Sequence, residues 1–151
     1  MLVKEVMTTD PACCGQDTSL QEVARLMVKH DCGEIPIIDN QQSGRPVGVI
    51  TDRDIVVRTI AEGRNPLDVT AGECMTRAIV TVRSDQSIED CCETMEKHQI
   101  RRVPVTDTAG RCVGIVSQAD IARRVSQRAA GEVVHDVSKP ASTSARGAGA
   151  H

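Results

Sequence analysis

Apolar and polar positions follow two periods along this chain. Short apolar segments of strand length lie between glycine-containing turns, which is typical of β-hairpins. Two helices begin after Ser19 and Ser87, and second helices follow Thr51 and Ser117. The predicted strands are 12–14, Glu34–Ile38 and Pro46–Thr51, then 79–82, Arg102–Thr106 and Cys112–Ser117. The predicted order is therefore β-α-β-β-α, occurring twice.

The first helix of each half has an apolar face. Leu20, Val23, Ala24 and Met27 recur at helical spacing, as do Ile88, Cys91, Cys92 and Met95. Ser19 with Glu22 fits a capping box, and Ser87 is an N-cap candidate. Both faces are expected to lie in hydrophobic cores.

The two halves are copies of one motif. Met7-Thr8 recurs as Met75-Thr76 and Pro36 as Pro104, each at an offset of 68. After a turn that is two residues longer in the first half, Gly48 recurs as Gly114 at an offset of 66. The predicted division is repeat 1 over 1–62, a linker over 63–73, repeat 2 over 74–136 and a disordered Ser-, Ala- and Gly-rich tail over 137–151.

The composition excludes some classes of binding partner. The formal net charge is −3, and the chain contains no Phe, Tyr or Trp. A nucleic-acid-binding protein usually has a basic surface or aromatic stacking platforms, so we expect no nucleic-acid partner. The sequence has neither an apolar run of spanning length nor the start typical of a signal peptide, so no membrane partner and a cytoplasmic location are expected.

Two segments in each half carry a family resemblance. Ile35-Pro36-Ile37-Ile38-Asp39 matches Val103-Pro104-Val105-Thr106-Asp107, and 48–55 matches 114–121. Each half resembles a CBS domain, and the pair resembles a Bateman module. The chain is most similar to small stand-alone bacterial two-CBS proteins, including those called hypoxic response proteins. The resemblance implies an α+β fold in which the repeats pack sheet to sheet in a pseudo-twofold unit with two clefts.

The resemblance also implies a ligand and its site. Such clefts often bind AMP, ADP, ATP, NAD or S-adenosylmethionine. An aspartate, here Asp54 or Asp120, would hold the ribose hydroxyls, and Thr51 or Ser117 would contact phosphate. The strand around each Pro would line the adenine pocket. The candidate ligand-binding residues are Gly33, Glu34, Ile35, Pro36, Ile50, Thr51, Arg53, Asp54, Arg101, Arg102, Val103, Pro104, Val116, Ser117 and Asp120.

Elementary chemistry is compatible with these roles and also with simpler ones. Free N–H groups at a helix N-terminus attract phosphate, and a carboxylate can accept two hydrogen bonds from a ribose diol. The same Thr51–Asp54 and Ser117–Asp120 pairs fit helix caps. Arg101 and Arg102 occupy the positions of Gly33 and Glu34, so we expect two clefts of unequal affinity.

The chain has seven cysteines, an odd number, so they cannot all pair in intramolecular disulfides. These cysteines suggest a second possible function. Most align with apolar residues of the other half, which favours core packing, but a thiol- or zinc-responsive stress protein remains the alternative. The sequence contains no recognisable catalytic motif, so we expect a non-enzymatic sensor without a catalytic cofactor or a metal site. A homodimer with an effector protein is the expected assembly, with apolar helix faces around Ile55 and Ile121 as candidate interfaces.

Overall fold

The computed structural model describes residues 1–77 and 80–131. The first half contains β1 (Thr8–Thr9), α1 (Leu20–His30), β2 (Glu34–Ile38), β3 (Pro46–Thr51) and α2 (Asp52–Arg58). The second half contains α3 (Ala71–Cys74), β4 (Val82–Arg83), α4 (Ile88–His98), β5 (Arg102–Thr106), β6 (Cys112–Ser117) and α5 (Gln118–Ala129). Short 3₁₀ turns occupy Val3–Glu5, Ile60–Glu62 and Pro66–Asp68.

The two hairpins have the predicted bounds. Strand β2 pairs antiparallel with β3, and β5 pairs antiparallel with β6. The alternation of β-branched residues between glycine-containing turns explains this agreement. The predicted strand at 12–14 is reduced to a single bridge between Cys14 and Ile37. Part of the predicted strand at 79–82, and all of the predicted tail at 137–151, lie outside the described residues.

Helix caps follow the sequence closely. The Ser19 and Ser87 hydroxyls accept hydrogen bonds from the backbone N–H groups of Glu22 and Asp90, which starts α1 and α4. The Glu22 carboxylate instead accepts a hydrogen bond from Arg25, at 3.1 Å, so the predicted reciprocal capping box is half formed.

The start of each repeat crosses over to the other repeat. Strand β1 pairs with β6, where Thr8 faces Ile115, while Thr76 forms the equivalent bridge with Val49 in β3. The two antiparallel bridges Leu2–Ser87 and Thr70–Ser19 repeat the same exchange. Each repeat therefore completes the sheet and the helix start of its counterpart.

Glycine makes this exchange sterically feasible. A Cβ on Gly48 would lie 2.7 Å from the Thr76 carbonyl oxygen, and one on Gly114 would lie 2.9 Å from the Thr8 carbonyl oxygen. Side chains are excluded where the crossing segment meets the strand. The recurrence of these glycines thus follows from the close backbone approach.

Two arginines at equivalent positions hold the crossing segments. The Arg58 guanidinium on α2 donates to the Met75 carbonyl at 2.9 Å. The Arg124 guanidinium on α5 donates to the Glu5 carbonyl at 3.2 Å. The second helix of each repeat is therefore tied to the start of the other.

The cores contain side chains from both repeats. The first core surrounds α1 and the β2–β3 hairpin and includes Val69, Ala71 and Met75. The second surrounds α4 and the β5–β6 hairpin and includes Val3, and Met7 packs against this core. Part of the predicted 63–73 linker thus belongs to the first core.

Two positions of the predicted apolar faces lie in solvent. Ala24 and Cys92 are exposed, whereas Val23 and Cys91, beside them, are buried. No helix within residues 1–77 and 80–131 combines the length and apolar character needed to cross a membrane.

Candidate ligand-binding cleft

A cleft between the two repeats contains residues of both. We call it the Asp120 cleft; its cavity measures about 130 Å³. One wall is the segment between α1 and β2, and the other is the end of β6 with the start of α5. The lining residues are Thr8, His30, Asp31, Cys32, Gly33, Glu34, Arg102, Ile115, Val116, Ser117 and Asp120.

The second wall is fixed by a helix cap. The Ser117 hydroxyl accepts a hydrogen bond from the Asp120 backbone N–H at 3.0 Å and starts α5. The Asp120 carboxylate accepts a hydrogen bond from Arg123 at 2.7 Å, and its side chain is 20% exposed. Capping and ion pairing thus place a partly exposed carboxylate at the helix start.

The equivalent cap in repeat 1 is more closed. The Thr51 hydroxyl accepts from the Asp54 N–H at 3.0 Å, and the Asp54 carboxylate accepts from the Thr51 N–H at 3.1 Å. The alternative that these pairs cap helices is therefore confirmed for both. The repeat places Thr51, Asp54 and Arg101 at the positions of Ser117, Asp120 and Gly33, and we call this region, where the second cleft is predicted, the Asp54 cleft.

A buried carboxylate lies between the repeats. The Glu34 side chain is 9% exposed, and its Oε1 lies 3.7 Å from Nη1 of Arg102, the residue at the equivalent position in repeat 2. Glu34 Oε2 has no hydrogen-bond partner among the described residues. Side chains of opposite charge, from equivalent positions of the two repeats, therefore meet between the repeats.

Burial dominates the ionisation of Glu34. Desolvation raises the pKa of its carboxyl from the usual 4.5 to about 7, while Arg102 opposes this shift and Asp54 adds to it. The carboxyl therefore changes charge near neutral pH, beside a cavity.

The predicted residues fall into four groups. Those that line the Asp120 cleft are Gly33, Glu34, Arg102, Val116, Ser117 and Asp120. Those buried in the hairpins beneath the clefts are Ile35, Pro36, Ile50, Val103 and Pro104. Arg53 and Arg101 are exposed and are not among the residues that line this cavity, while Thr51 and Asp54 form the repeat 1 cap.

Sequence reasoning missed part of the lining. Thr8 reaches the cleft because the start of repeat 1 pairs with β6. His30, Asp31 and Cys32 enter with the end of α1, where Asp31 adopts a left-handed conformation with φ of 50°. The recurrence of Thr8 as Thr76 was a signal that this position matters, since an exposed threonine need not repeat for packing reasons, but it did not show which cleft Thr8 lines.

The fold defines a tandem pair of repeats that share a cleft lined by residues of both. The CBS domain model matches residues 3–59 and 71–127, so the chain belongs to the CBS-domain family. Proteins with CBS pairs are generally regulatory rather than catalytic.

One relative and two crystal structures are similar to this chain over most of its length. Hypoxic response protein 1 of Mycobacterium tuberculosis is 38% identical over 137 residues, which cover 91% of this chain and 94% of that protein. The crystal structure of hypoxic response protein I with two coordinated zinc ions is 41% identical, with a TM-score of 0.71 over 82% of this chain and 98% of that one. The CBS pair of protein MJ0100, in complex with 5′-methylthioadenosine and S-adenosyl-L-methionine, is 32% identical, with a TM-score of 0.72 over 85% and 98%.

Proposed function

We propose that this protein is a sensor that binds an adenosine-containing ligand in the Asp120 cleft and signals by a change in the arrangement of its repeats. The observation that carries the proposal is the composition of the cleft: one wall belongs to repeat 1, and the other, with Ser117 and Asp120, belongs to repeat 2. A ligand held by both walls would couple its binding to their separation.

The size of the cavity supports a conformational response. Its volume of about 130 Å³ is smaller than the roughly 300–1,000 Å³ of typical small-molecule sites. A nucleoside would therefore have to separate the walls. Asp120 would accept the ribose hydroxyls, and the backbone at Gly33 and Glu34 would contact the base.

Charge favours some adenosine ligands over others. The lining residues include the carboxylates of Asp31, Glu34 and Asp120 and the guanidinium of Arg102. With Arg123 paired to Asp120, the cleft carries no net positive charge that would attract a di- or triphosphate. We therefore expect 5′-methylthioadenosine or the cationic S-adenosylmethionine to bind here more tightly than ATP, ADP or NAD.

The Asp54 cleft should differ. Arg101 occupies the position that Gly33 has in the Asp120 cleft, so a phosphate-bearing ligand such as AMP, ADP, ATP or NAD fits it better. Unequal affinities of the two clefts remain our prediction. Two binding events of the same affinity for one ligand in titration calorimetry would contradict it.

The proposed signal passes to another protein chain. Val56 and Val57 on α2 and Val125 on α5 are 51%, 40% and 49% exposed, which suits a homodimer or an effector contact. Ile121 is 6% exposed and Ile55 packs against the first core, so the helix faces around these two residues lie inward. A non-catalytic role, the homodimer, a separate effector and a cytoplasmic location are parts of the proposal.

The direct test is thermal unfolding with each ligand. A ligand at 100 times its Kd should add about 2.7 kcal/mol of stability. Detection requires a dye or calorimetry because the chain has no Trp, Tyr or Phe. Asp120→Ala should abolish the shift with 5′-methylthioadenosine. Asp90→Ala is the matched control, since Asp90 follows N-cap Ser87 as Asp120 follows Ser117.

A stress-responsive function is the second candidate. The zinc ions in the hypoxic response protein I structure make metal binding worth testing, although within residues 1–77 and 80–131 no group of three or more His, Cys, Asp or Glu side chains is placed to hold a metal ion. A thiol response is favoured by the neighbouring thiols of Cys13 and Cys112. A shift in melting temperature with a chelator or an oxidant, and none with adenosine ligands, would select this candidate.

A further inference from the structure

Two thiols from different repeats lie close together, in the lining of one cavity outside the Asp120 cleft. Cys13 lies in the loop between β1 and α1, and Cys112 is the first residue of β6. Both side chains line the same surface cavity, and each thiol shifts the pKa of the other. Each thiol is also close to a carbonyl oxygen, with Cys13 Sγ 3.4 Å from that of Pro11 and Cys112 Sγ 3.6 Å from that of Gly114.

The pair is accessible. Both side chains are half-buried and line a surface cavity of about 320 Å³, together with Pro11, Gly44 and Arg111. The other five cysteines lie elsewhere: Cys14 and Cys74 are buried in the first core and Cys91 in the second, Cys32 packs against the first core, and Cys92 is exposed on α4. Small oxidants can therefore reach this pair from solvent.

The two thiols are unlike in acidity. A Cys112 thiolate would accept a hydrogen bond from the Cys13 thiol, which lowers the pKa of Cys112, whereas the same interaction and burial raise the pKa of Cys13. Cys112 is thus the better nucleophile and Cys13 the proton-bearing partner, a division suited to forming a disulfide.

A disulfide between Cys13 and Cys112 would be connected through the backbone to both walls of the Asp120 cleft. Next to Cys13, Cys14 is tied to β2 by hydrogen bonds from its N–H to Pro36 and from the Ile38 N–H to its carbonyl, at 3.1 and 2.9 Å. Cys112 begins β6, whose other end, Ser117, lines the cleft. A bond between the two sulfurs would hold these strands together at their far ends.

We propose that Cys13 and Cys112 form a reversible disulfide that locks the two repeats together in response to a peroxide. The Cys112 thiolate attacks one peroxide oxygen, the O–O bond breaks, and a sulfenic acid forms while the departing hydroxide takes up the proton that the Cys112 thiol had released and leaves as water. The Cys13 sulfur then attacks the Cys112 sulfur, the S–O bond breaks, and the hydroxide leaves as water with the Cys13 proton. Two thiols are oxidised by two electrons and one peroxide is reduced to two waters; a dithiol reverses the step.

Mass spectrometry tests the cross-link directly. The reduced full-length protein is treated with hydrogen peroxide, alkylated and digested with trypsin without reduction. We expect a disulfide between the peptide that contains Cys13 and the peptide that follows Arg111. The cross-link should be lost in Cys13→Ser, which retains Cys14, and in Cys112→Ser, but kept in Cys92→Ser.

A second readout measures the locking. Closing a loop of roughly 100 residues should raise the melting temperature of oxidised wild type by roughly 10 °C, reversibly with dithiothreitol. Separate alkylation or overoxidation of Cys13 and Cys112, or a linkage through Cys14 or between chains, would overturn the proposal. None of these outcomes depends on adenosine binding, so the sensor function is tested independently.

Discussion

Replacing Glu34 by glutamine should stabilise the protein, and by more at high pH than at low pH. The Glu34 side chain is 9% exposed, and burial raises the pKa of its carboxyl from 4.5 to about 7. Because the folded protein favours the neutral form, the ionised carboxylate costs stability. That cost is absent well below pH 4.5, grows between pH 4.5 and 7, and is complete above pH 7.

The expected magnitude follows from the two pKa values. At about 1.36 kcal/mol per pH unit, the cost is about 3 kcal/mol at pH 8 and about 1 kcal/mol at pH 5. The attraction of Arg102 is already contained in the shifted pKa. For a chain of this size, Glu34→Gln should raise the melting temperature by roughly 6–12 °C at pH 8 and by roughly 2–4 °C at pH 5.

Scanning calorimetry of wild type and Glu34→Gln from pH 5 to 8 measures this difference. Glu93→Gln, at an exposed position on α4, is the matched control and should show no comparable pH-dependent difference. A Glu34→Gln difference that stays constant with pH, or a loss of stability at pH 8, would refute the reasoning. It would mean that the ion pair with Arg102 outweighs the desolvation of the carboxylate.

Two further predictions concern the exchange of segments and the assembly. Gly48→Ala should lower the free energy of unfolding by about 1–3 kcal/mol, because its Cβ would lie 2.7 Å from the Thr76 carbonyl oxygen. Gly15→Ala, whose Cβ would have its nearest neighbour at 4.0 Å, is the control in denaturant titrations. Equal losses of stability in the two variants would contradict the close approach at Gly48. Val56→Asp should convert the proposed dimer to a monomer in light scattering, whereas Val28→Asp on α1 should leave the dimer intact. A dimer that survives Val56→Asp would exclude the α2 face as the dimer interface.

The hairpins were predictable from the sequence because their information is local. Glu34–Ile38 and Cys112–Ser117 are apolar segments bounded by turns, and the structure has these bounds. The Ser19 and Ser87 caps were equally local. The prediction that Cys92 lies on the buried face of α4 was wrong, because its apolar character does not show which edge of the apolar face is exposed to solvent.

The exchange of segments could not be predicted for a different reason. Thr8 and Thr76 occupy equivalent positions, so the repeated sequence is equally consistent with pairing of each segment within its own half and with pairing to the other half. Only packing of the complete chain distinguishes the two arrangements, through cores that include Val3 and Val69. The presence of Thr8 in the Asp120 cleft, and the composition of that cleft from both repeats, depended on this choice.

The proposed function requires that an adenosine ligand binds between the repeats at Asp120. Titration calorimetry with 5′-methylthioadenosine, on wild type, Asp120→Ala and Asp90→Ala, tests it most directly. We expect saturable binding to wild type and Asp90→Ala that is lost in Asp120→Ala. Unchanged binding in folded Asp120→Ala, or no heat with wild type for this ligand or for S-adenosylmethionine, would contradict it.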